Sequence, residues 1–485
     1  MRSNRVAVVG AGLSGLAAGL LLRQHDVDVD VYEARDDVGG CCSTAQVDGY
    51  SFNNGALFVA VPRLLDHAFA RLGLDRAGEV PMRRIDAPQA SVFDSGTRVL
   101  FDGNGVHLDG DDAVARNARL QQDLAKMMAR WTPLLRTFTD DLLPKPLSLS
   151  RVIGRAWRYL PQLHGTLAHE LDHLFHDPEA RAAMAAVTLY TGLRPERTPV
   201  FQIIGLVSML EDGLWLPERG MGAVPDALHR AFVAAGGRVH TGTAVEKLHV
   251  VDGRVCGVVV AGETVEADAV VSSASGMSTF SRLLDPVDVP TSMRRRVERA
   301  PLSHRAVGVQ LGLANALDVP AHVVNRIPLM DEQHRMLVPQ PGGPRWLSFS
   351  VPTHTVPDLA PRGGSVVEMF AAVDPAVAPQ DWTDDATQAV ADTAIEALRR
   401  HLPLDIAVSR VRGPRQFEQD LHLYDGALYG LSPAARPDQQ FPHEAPLPGL
   451  FLAGQTTSPG FGVATTVLSG IFAADALLKR RAMAR

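Results

Sequence analysis

The stretch Val6-Ala7-Val8-Val9-Gly10-Ala11-Gly12-Leu13-Ser14-Gly15 constrains this chain more than any other. An apolar run enters a G-x-G-x-x-G loop, and a small-residue run, Leu16 to Leu22, follows. About twenty residues on, Val29-Asp30-Val31-Tyr32-Glu33 reads as a second strand ending in an acid. Strand, glycine loop, helix and acid together form the dinucleotide-binding fingerprint in its required context. The three glycines have separate tasks. Gly10 allows the tight turn, Gly12 lets the backbone approach a pyrophosphate, and Gly15 lets helix and strand pack closely. Leu13 and Ser14 open the helix, whose N-terminus offers free N–H groups to phosphates. Glu33 can accept hydrogen bonds from a ribose 2′-hydroxyl.

The same residues invite a plainer reading. Basic Met1-Arg2-Ser3-Asn4-Arg5 ahead of apolar Val6 to Leu22 has the outline of a signal peptide. Three glycines at functional spacing make a poor hydrophobic segment, and cleavage would delete the first strand. No later run reaches the length of a membrane span, so a cytoplasmic chain is expected. Three cysteines (Cys41, Cys42 and Cys256) build no disulfide framework and fit a reducing compartment. A net charge of -7 gives no reason to expect a nucleic-acid partner.

A chain of 485 residues suggests two or three domains, or one interleaved architecture. Texture favours interleaving. The nucleotide-binding start fills 1–85, with a turn at Asp48-Gly49. From 86 to 217 the chain turns helical, with periodic stretches Leu120 to Phe138 and Val152 to Leu174. Pro133 and Pro161 are expected to kink or interrupt them, and Pro144 and Pro146 to separate them. From 218 to 301 a helix starting near Pro225 and ending at Gly236-Gly237 precedes strands. Asp252-Gly253 marks a hairpin there, and Val265 to Ser273 reads as a buried strand. Residues 302–440 read as a second instalment of the other domain. In 441–485 a strand, Gly449 to Gly454, enters a glycine turn, and a helix follows from about Val463 to Leu478. The fold class is α/β: a Rossmann-type domain interleaved with an α+β substrate-binding domain.

The chain resembles the phytoene desaturase and carotenoid isomerase branch of the FAD-dependent amine-oxidase-like flavoproteins. Four segments carry the resemblance. They are Gly10 to Gly15 with Glu33-Ala34-Arg35 and Gly39-Gly40; Pro217-Glu218-Arg219-Gly220-Met221-Gly222; Ala267 to Ala274; and Phe451-Leu452-Ala453-Gly454-Gln455 through Gly462-Val463. The tail running to Leu468-Ser469-Gly470 is most similar to isomerase-like members. The resemblance implies a glutathione-reductase-like FAD domain. It also implies that the C-terminal helix points its N-terminus at the flavin, near Gly462-Val463-Ala464, and that the backbone of Val245 meets the adenine. The family usually has Arg or Lys after Gly39-Gly40, where Cys41-Cys42 stand here, and often Gly at Arg219 and an acid or alanine at Gln455.

Such a chain implies hydride transfer from a hydrophobic polyene or isoprenoid to the flavin, with the protein orienting substrate and excluding water. No catalytic residue is assigned. Two alternatives stand beside it. An amine-oxidising or natural-product-tailoring relative would favour an aromatic cage and a lysine near the flavin, and only 6 tyrosines and 5 tryptophans speak mildly against that. A non-catalytic prenyl-binding protein on the same fold would not need intact Gly10, Gly12, Gly15 and Glu33. His169-Glu170-Leu171-Asp172-His173 matches H-E-x-x-H, yet a solvated helix face is the better reading and no metal is expected. Cys41-Cys42 read as small packing residues rather than a redox pair. Arg151, Arg155 and Arg158 beside Val152, Ile153, Trp157 and Leu160 make either an ordinary surface helix or a basic amphipathic helix that touches membrane.

Overall fold

The computed structural model describes residues 4–146, 149–340 and 342–483. Met1 to Ser3, which begin the basic N-terminal stretch, lie outside these residues. A five-stranded parallel sheet organises the first layer. Its order is Arg238–His240, Asp28–Tyr32, Arg5–Val9, Ala269–Ser272, Leu450–Leu452. Buried apolar strands such as Val6, Val8, Val29, Val31, Val270 and Val271 suit a sheet covered on both faces. Arg5–Val9 pairs with Asp28–Tyr32 on one side and Ala269–Ser272 on the other. The chain order therefore reverses at the strand that feeds Gly10, where ligands bind in open α/β sheets.

Two helices meet over this sheet. The first, Leu13–Arg23, is buried along nearly its whole length. The C-terminal helix, Val463–Met483, crosses it closely enough that a Cβ on Gly470 would lie 2.1 Å from the Ser14 carbonyl oxygen. Gly19 and Gly237 lie similarly close against the Phe232 ring of the helix Ala223–Ala234. Small residues thus set how near these helices come, and that spacing holds the two helix N-termini over one crevice.

The second layer is an eight-stranded sheet in the order Ile406–Arg412, Ala306–Leu313, Ser365–Ala372, Leu347–Ser350, Val323–Arg326, Gln89–Val92, Arg98–Asp102, Gly105–Asp109. Five of these strands come from the later excursion and three from the earlier one. The two sets join where Val323–Arg326 runs parallel to Gln89–Val92. The region from 86 onward is therefore not helical from its start: three strands precede the helices.

Other expectations are corrected in detail. The first long helix runs Ala113–Arg136 through Pro133 and passes into a π-helical turn, Thr137–Leu142, where the Thr137 hydroxyl bonds the Pro133 carbonyl at 2.9 Å. Val152 to Leu174 is three elements: Leu149–Ala156, a 3₁₀ stretch Trp157–Leu163 holding Pro161, and Leu167–Leu174 capped by Thr166. Gly165, at φ 103°, sits at the break between the last two. Val265 to Ser273 is also divided. Glu263–Glu266 closes a three-stranded antiparallel sheet, and the buried strand is Ala269–Ser272. The hairpin at Asp252-Gly253 forms, with both residues at positive φ (49° and 70°).

Candidate functional site

The crevice begins at the glycine loop. Gly10 has φ 92°, open to glycine at little cost, and a Cβ there would sit 2.7 Å from Ser273 Oγ. Gly15 fits against the Gly10 carbonyl, where a Cβ would lie 2.0 Å from the oxygen. Gly12 is different: its backbone is extended (φ −72°, ψ 176°), and a Cβ would meet nothing within 4 Å. None of the described residues demands glycine there. The open space beside its backbone is what a ligand approaching that backbone needs, so these residues fit a dinucleotide phosphate. The N–H groups of Leu13, Ser14 and Gly15 belong to the first turn, which begins its own bonding with Leu16 N–H donating to Gly12 O (3.0 Å).

Glu33 is buried at the same crevice. Its Oε2 accepts from Ala11 N–H at 2.7 Å and its Oε1 from Arg35 N–H at 3.0 Å. Those bonds fix the carboxylate and leave lone pairs for a ligand hydroxyl. Ala34 follows, and Arg35 turns outward to Asp37, at 2.7 Å. Thr243 N–H donates to the Glu33 carbonyl (2.7 Å), which brings Val245, two residues on, to this end of the crevice. Gly39 N–H donates to Ala11 O (2.8 Å), and a Cβ on Gly40 would stand 3.9 Å from Gly12 Cα. Gly39 and Gly40 therefore line the glycine loop.

Cys41 and Cys42 continue that line. Burial pushes the Cys41 thiol up to about 11 and Cys42 higher still, so both stay protonated and unreactive. Cys42 Sγ–H points at the Met221 carbonyl (3.5 Å), and Cys41 packs against Phe417, Leu421 and Leu423.

The far end is built by the C-terminal turn. Gly454, at φ 110°, passes 3.4 Å from Ser14 Oγ, measured from where its Cβ would be. The Gln455 side chain lies against Gly430. Gly462, at φ 114°, starts the last helix, whose first internal bond is Thr466 N–H to Gly462 O (2.9 Å). Val463 and Ala464 therefore present unpaired N–H groups at a helix N-terminus, suited to negative charge.

Beside that turn stands an aromatic wall that sequence reading missed. Phe461 packs on Tyr429 (4.9 Å between centroids), Tyr429 on His304 (5.9 Å), and Phe58 edge-on to Tyr190 (6.4 Å). The rings come from five separated segments, so no local pattern marks them. A low total of tyrosine and tryptophan does not, then, make the site poor in aromatics. The four lysines, Lys126, Lys145, Lys247 and Lys479, are all exposed, and none belongs to this wall.

A pocket holding several polar side chains, also missed, lies between Asn53, Asn54 and Leu57 and the eight-stranded sheet. Its buried member is Glu368. Oε1 accepts from Asn53 N–H (2.8 Å) and Gln310 Nε2 (3.2 Å), while Oε2 has no partner among the described residues. Burial raises this carboxyl from 4.5 to about 7. Its folded value exceeds its unfolded one, so stability falls as pH rises from about 4.5 to 7, and the full cost persists above. Glu368→Gln keeps an oxygen for both donors. The variant is expected to lose that slope and to unfold at a higher temperature than the parent above pH 7, as thermal melts across the window will show.

The H-E-x-x-H residues have other engagements. Glu170 accepts from Trp131 Nε1 and Arg130 (both 2.8 Å), and His173 Nδ1 is bonded to the His169 carbonyl (2.7 Å). Among the described residues no group of three His, Cys, Asp or Glu is placed to hold a metal ion. A His169→Ala/His173→Ala variant is expected to keep full activity, with metal analysis finding no stoichiometric zinc in the parent. Zinc together with lost activity would contradict this.

Comparison with known proteins agrees with the geometry. Residues 13–478 match the family described as flavin containing amine oxidoreductase. A zeta-carotene-forming phytoene desaturase of Myxococcus xanthus is 27% identical over 503 residues, covering 98% of this chain and 94% of that protein. An all-trans-zeta-carotene desaturase of the same organism is 28% identical, covering 98% and 93%. Among solved structures, an oxidoreductase from Methanosarcina mazei superposes with a TM-score of 0.61 at 16% identity, covering 98% and 100%. The chain belongs to the flavin containing amine oxidoreductase family and is an FAD-dependent oxidoreductase.

Proposed function

We propose that this enzyme desaturates a hydrophobic polyene or isoprenoid. Bound FAD supplies the hydride acceptor. Gly10, Gly12, Leu13, Ser14 and Gly15 would take its pyrophosphate, with Gly39 and Gly40 beside them. Glu33, Ala34 and Arg35 would hold the adenosine ribose, and Val245 the adenine. Gly454 and Gln455 would line the path to the flavin. The N–H groups of Val463 and Ala464, after Gly462, would meet the edge where charge develops on reduction.

The observation that carries the polyene reading over amine oxidation is that no lysine stands among the aromatic rings of Phe58, Tyr190, Tyr429 and Phe461 beside that helix start. A flat conjugated chain packs on such rings and gains roughly 25 cal/mol per Å² of apolar surface removed from water. An amine gains less there and lacks the lysine expected of amine oxidation. Burial keeps the Tyr429 hydroxyl neutral, pushed up to about 12, so the wall carries no charge of its own. The full-length similarity to carotenoid desaturases supports the same substrate class.

Uptake of such a substrate calls for contact with lipid. Ile153, Trp157 and Leu160 are 53%, 63% and 46% exposed on adjoining turns, with Arg151, Arg155 and Arg158 among them. Apolar side chains flanked by arginines suit an interfacial seat on anionic lipid. No helix among the described residues is long and apolar enough to cross a membrane. The test is product mass after incubation with a polyene in liposomes and an electron acceptor. Loss of paired hydrogens supports the reading. Unchanged mass with altered double-bond geometry would replace it by isomerisation, and no change at all would remove it.

A further inference from the structure

A dinucleotide brings two phosphate charges into the crevice, and the side chains of the glycine loop supply none to offset them. Arg35 is committed to Asp37. Cys41 and Cys42 are neutral thiols. Cationic charge within coulombic reach of Cys41, the residue after Gly40, comes instead from Arg412 on the edge strand Ile406–Arg412 of the other layer. Arg410 and Arg412 are half-buried, and burial lowers both, Arg412 to about 10. Among the described residues neither guanidinium has a carboxylate within 4.0 Å. Their hydrogen-bond partners are neutral, and Asp420 and Glu368 act on them only beyond ion-pair distance. Arg410 Nη1 donates to Gln310 Oε1 (2.8 Å) and lies over the Phe52 ring; Arg412 donates to Asn54 Oδ1 and lies over Phe417. Glu368, in the same pocket, holds its proton toward neutrality and gives its bonded oxygen to Asn53 and Gln310.

A short chain of bonds ties Arg412 to the crevice. Asn54 Nδ2 donates to Ser43 Oγ (2.8 Å), Ser43 Oγ–H donates to the Gly40 carbonyl (2.7 Å), and Gly40 stands beside Gly12. Two desolvated cations with no carboxylate in contact among the described residues are costly unless an anion completes them. We propose that Arg412, seconded by Arg410, supplies the counter-charge for the FAD pyrophosphate across the layer interface. Cofactor retention in this chain then depends on a strand of the substrate-side sheet as well as on the glycine loop. The inference rests on the reading that FAD occupies the crevice.

The experiment is flavin release from the holoenzyme on dilution, followed by flavin fluorescence at low and high salt. It is run for the parent, Arg412→Met, Arg412→Lys and Arg410→Met, each checked for folding by its melting curve. Arg412→Met is expected to weaken FAD about tenfold at low salt, and the loss should shrink at high salt because the interaction is electrostatic. Arg412→Lys keeps the charge and should retain most of the affinity. Arg410→Met should show a smaller, salt-sensitive loss, and it still reports if Arg412→Met fails to fold. Unchanged affinity in both methionine variants would overturn the proposal. So would a salt-independent loss shared by Arg412→Lys, which marks a purely structural role. A parent that binds no FAD would overturn the underlying reading instead.

Discussion

Gly12→Val is expected to abolish FAD retention while leaving the fold intact. The two outcomes separate because the space beside Gly12 is empty of protein. A Cβ would touch nothing within 4 Å, and the extended backbone at this position accepts a β-branched residue without strain. The added methyls instead fill the approach to the helix N-terminus where the pyrophosphate would lie. Holding FAD further out forfeits several charge-assisted bonds to N–H groups, so affinity should fall at least a hundredfold, or about 3 kcal/mol. Released flavin is measured by chromatography after heating, alongside a melting curve of the apoprotein. A variant that keeps stoichiometric FAD would show that the cofactor does not lie against this loop.

Gly470→Ala carries the opposite expectation, with stability and cofactor retention falling together. Exchanging glycine for alanine inside a helix ordinarily stabilises by about 1 kcal/mol. Here the new Cβ would come within 2.1 Å of the Ser14 carbonyl oxygen, a backbone atom with no freedom to rotate away. Both helices are buried at the crossing, so they must separate and open space between Leu16, Val467 and Ile471. Overpacking plus lost contact should cost about 2–4 kcal/mol against that gain. The shift also carries the Gly462 turn away from the glycine loop, so FAD should release faster. Melting temperature and flavin release measured on one preparation check both. A more stable variant would refute the close crossing.

Much of the nucleotide side was legible because its constraints are local. Gly10 makes the turn and Gly15 the close packing that their spacing implies, Gly12 keeps open space beside its backbone, and Glu33 reaches back to the same loop. The glycines of the C-terminal turn were legible for the same reason. The substrate side resisted reading. Gln89–Val92 forms a local hairpin with Arg98–Asp102, but its place in the large sheet comes from Val323–Arg326, more than two hundred residues away, which no nearby residue announces. The aromatic wall and the Glu368 pocket have the same character, since Phe58, Tyr190, Tyr429, Asn53 and Arg412 meet only when both layers are assembled. The helix break at Gly165 and the strand break at Ala267-Asp268 were hidden by apolar residues continuing on either side.

The account stands on FAD chemistry directed at an apolar polyene. Its most direct test is anaerobic mixing of the holoenzyme with a polyene panel in liposomes and, separately, with an amine panel, while flavin absorbance is followed. Bleaching by at least one polyene and by no amine is the expected result. Bleaching by amines alone would contradict it.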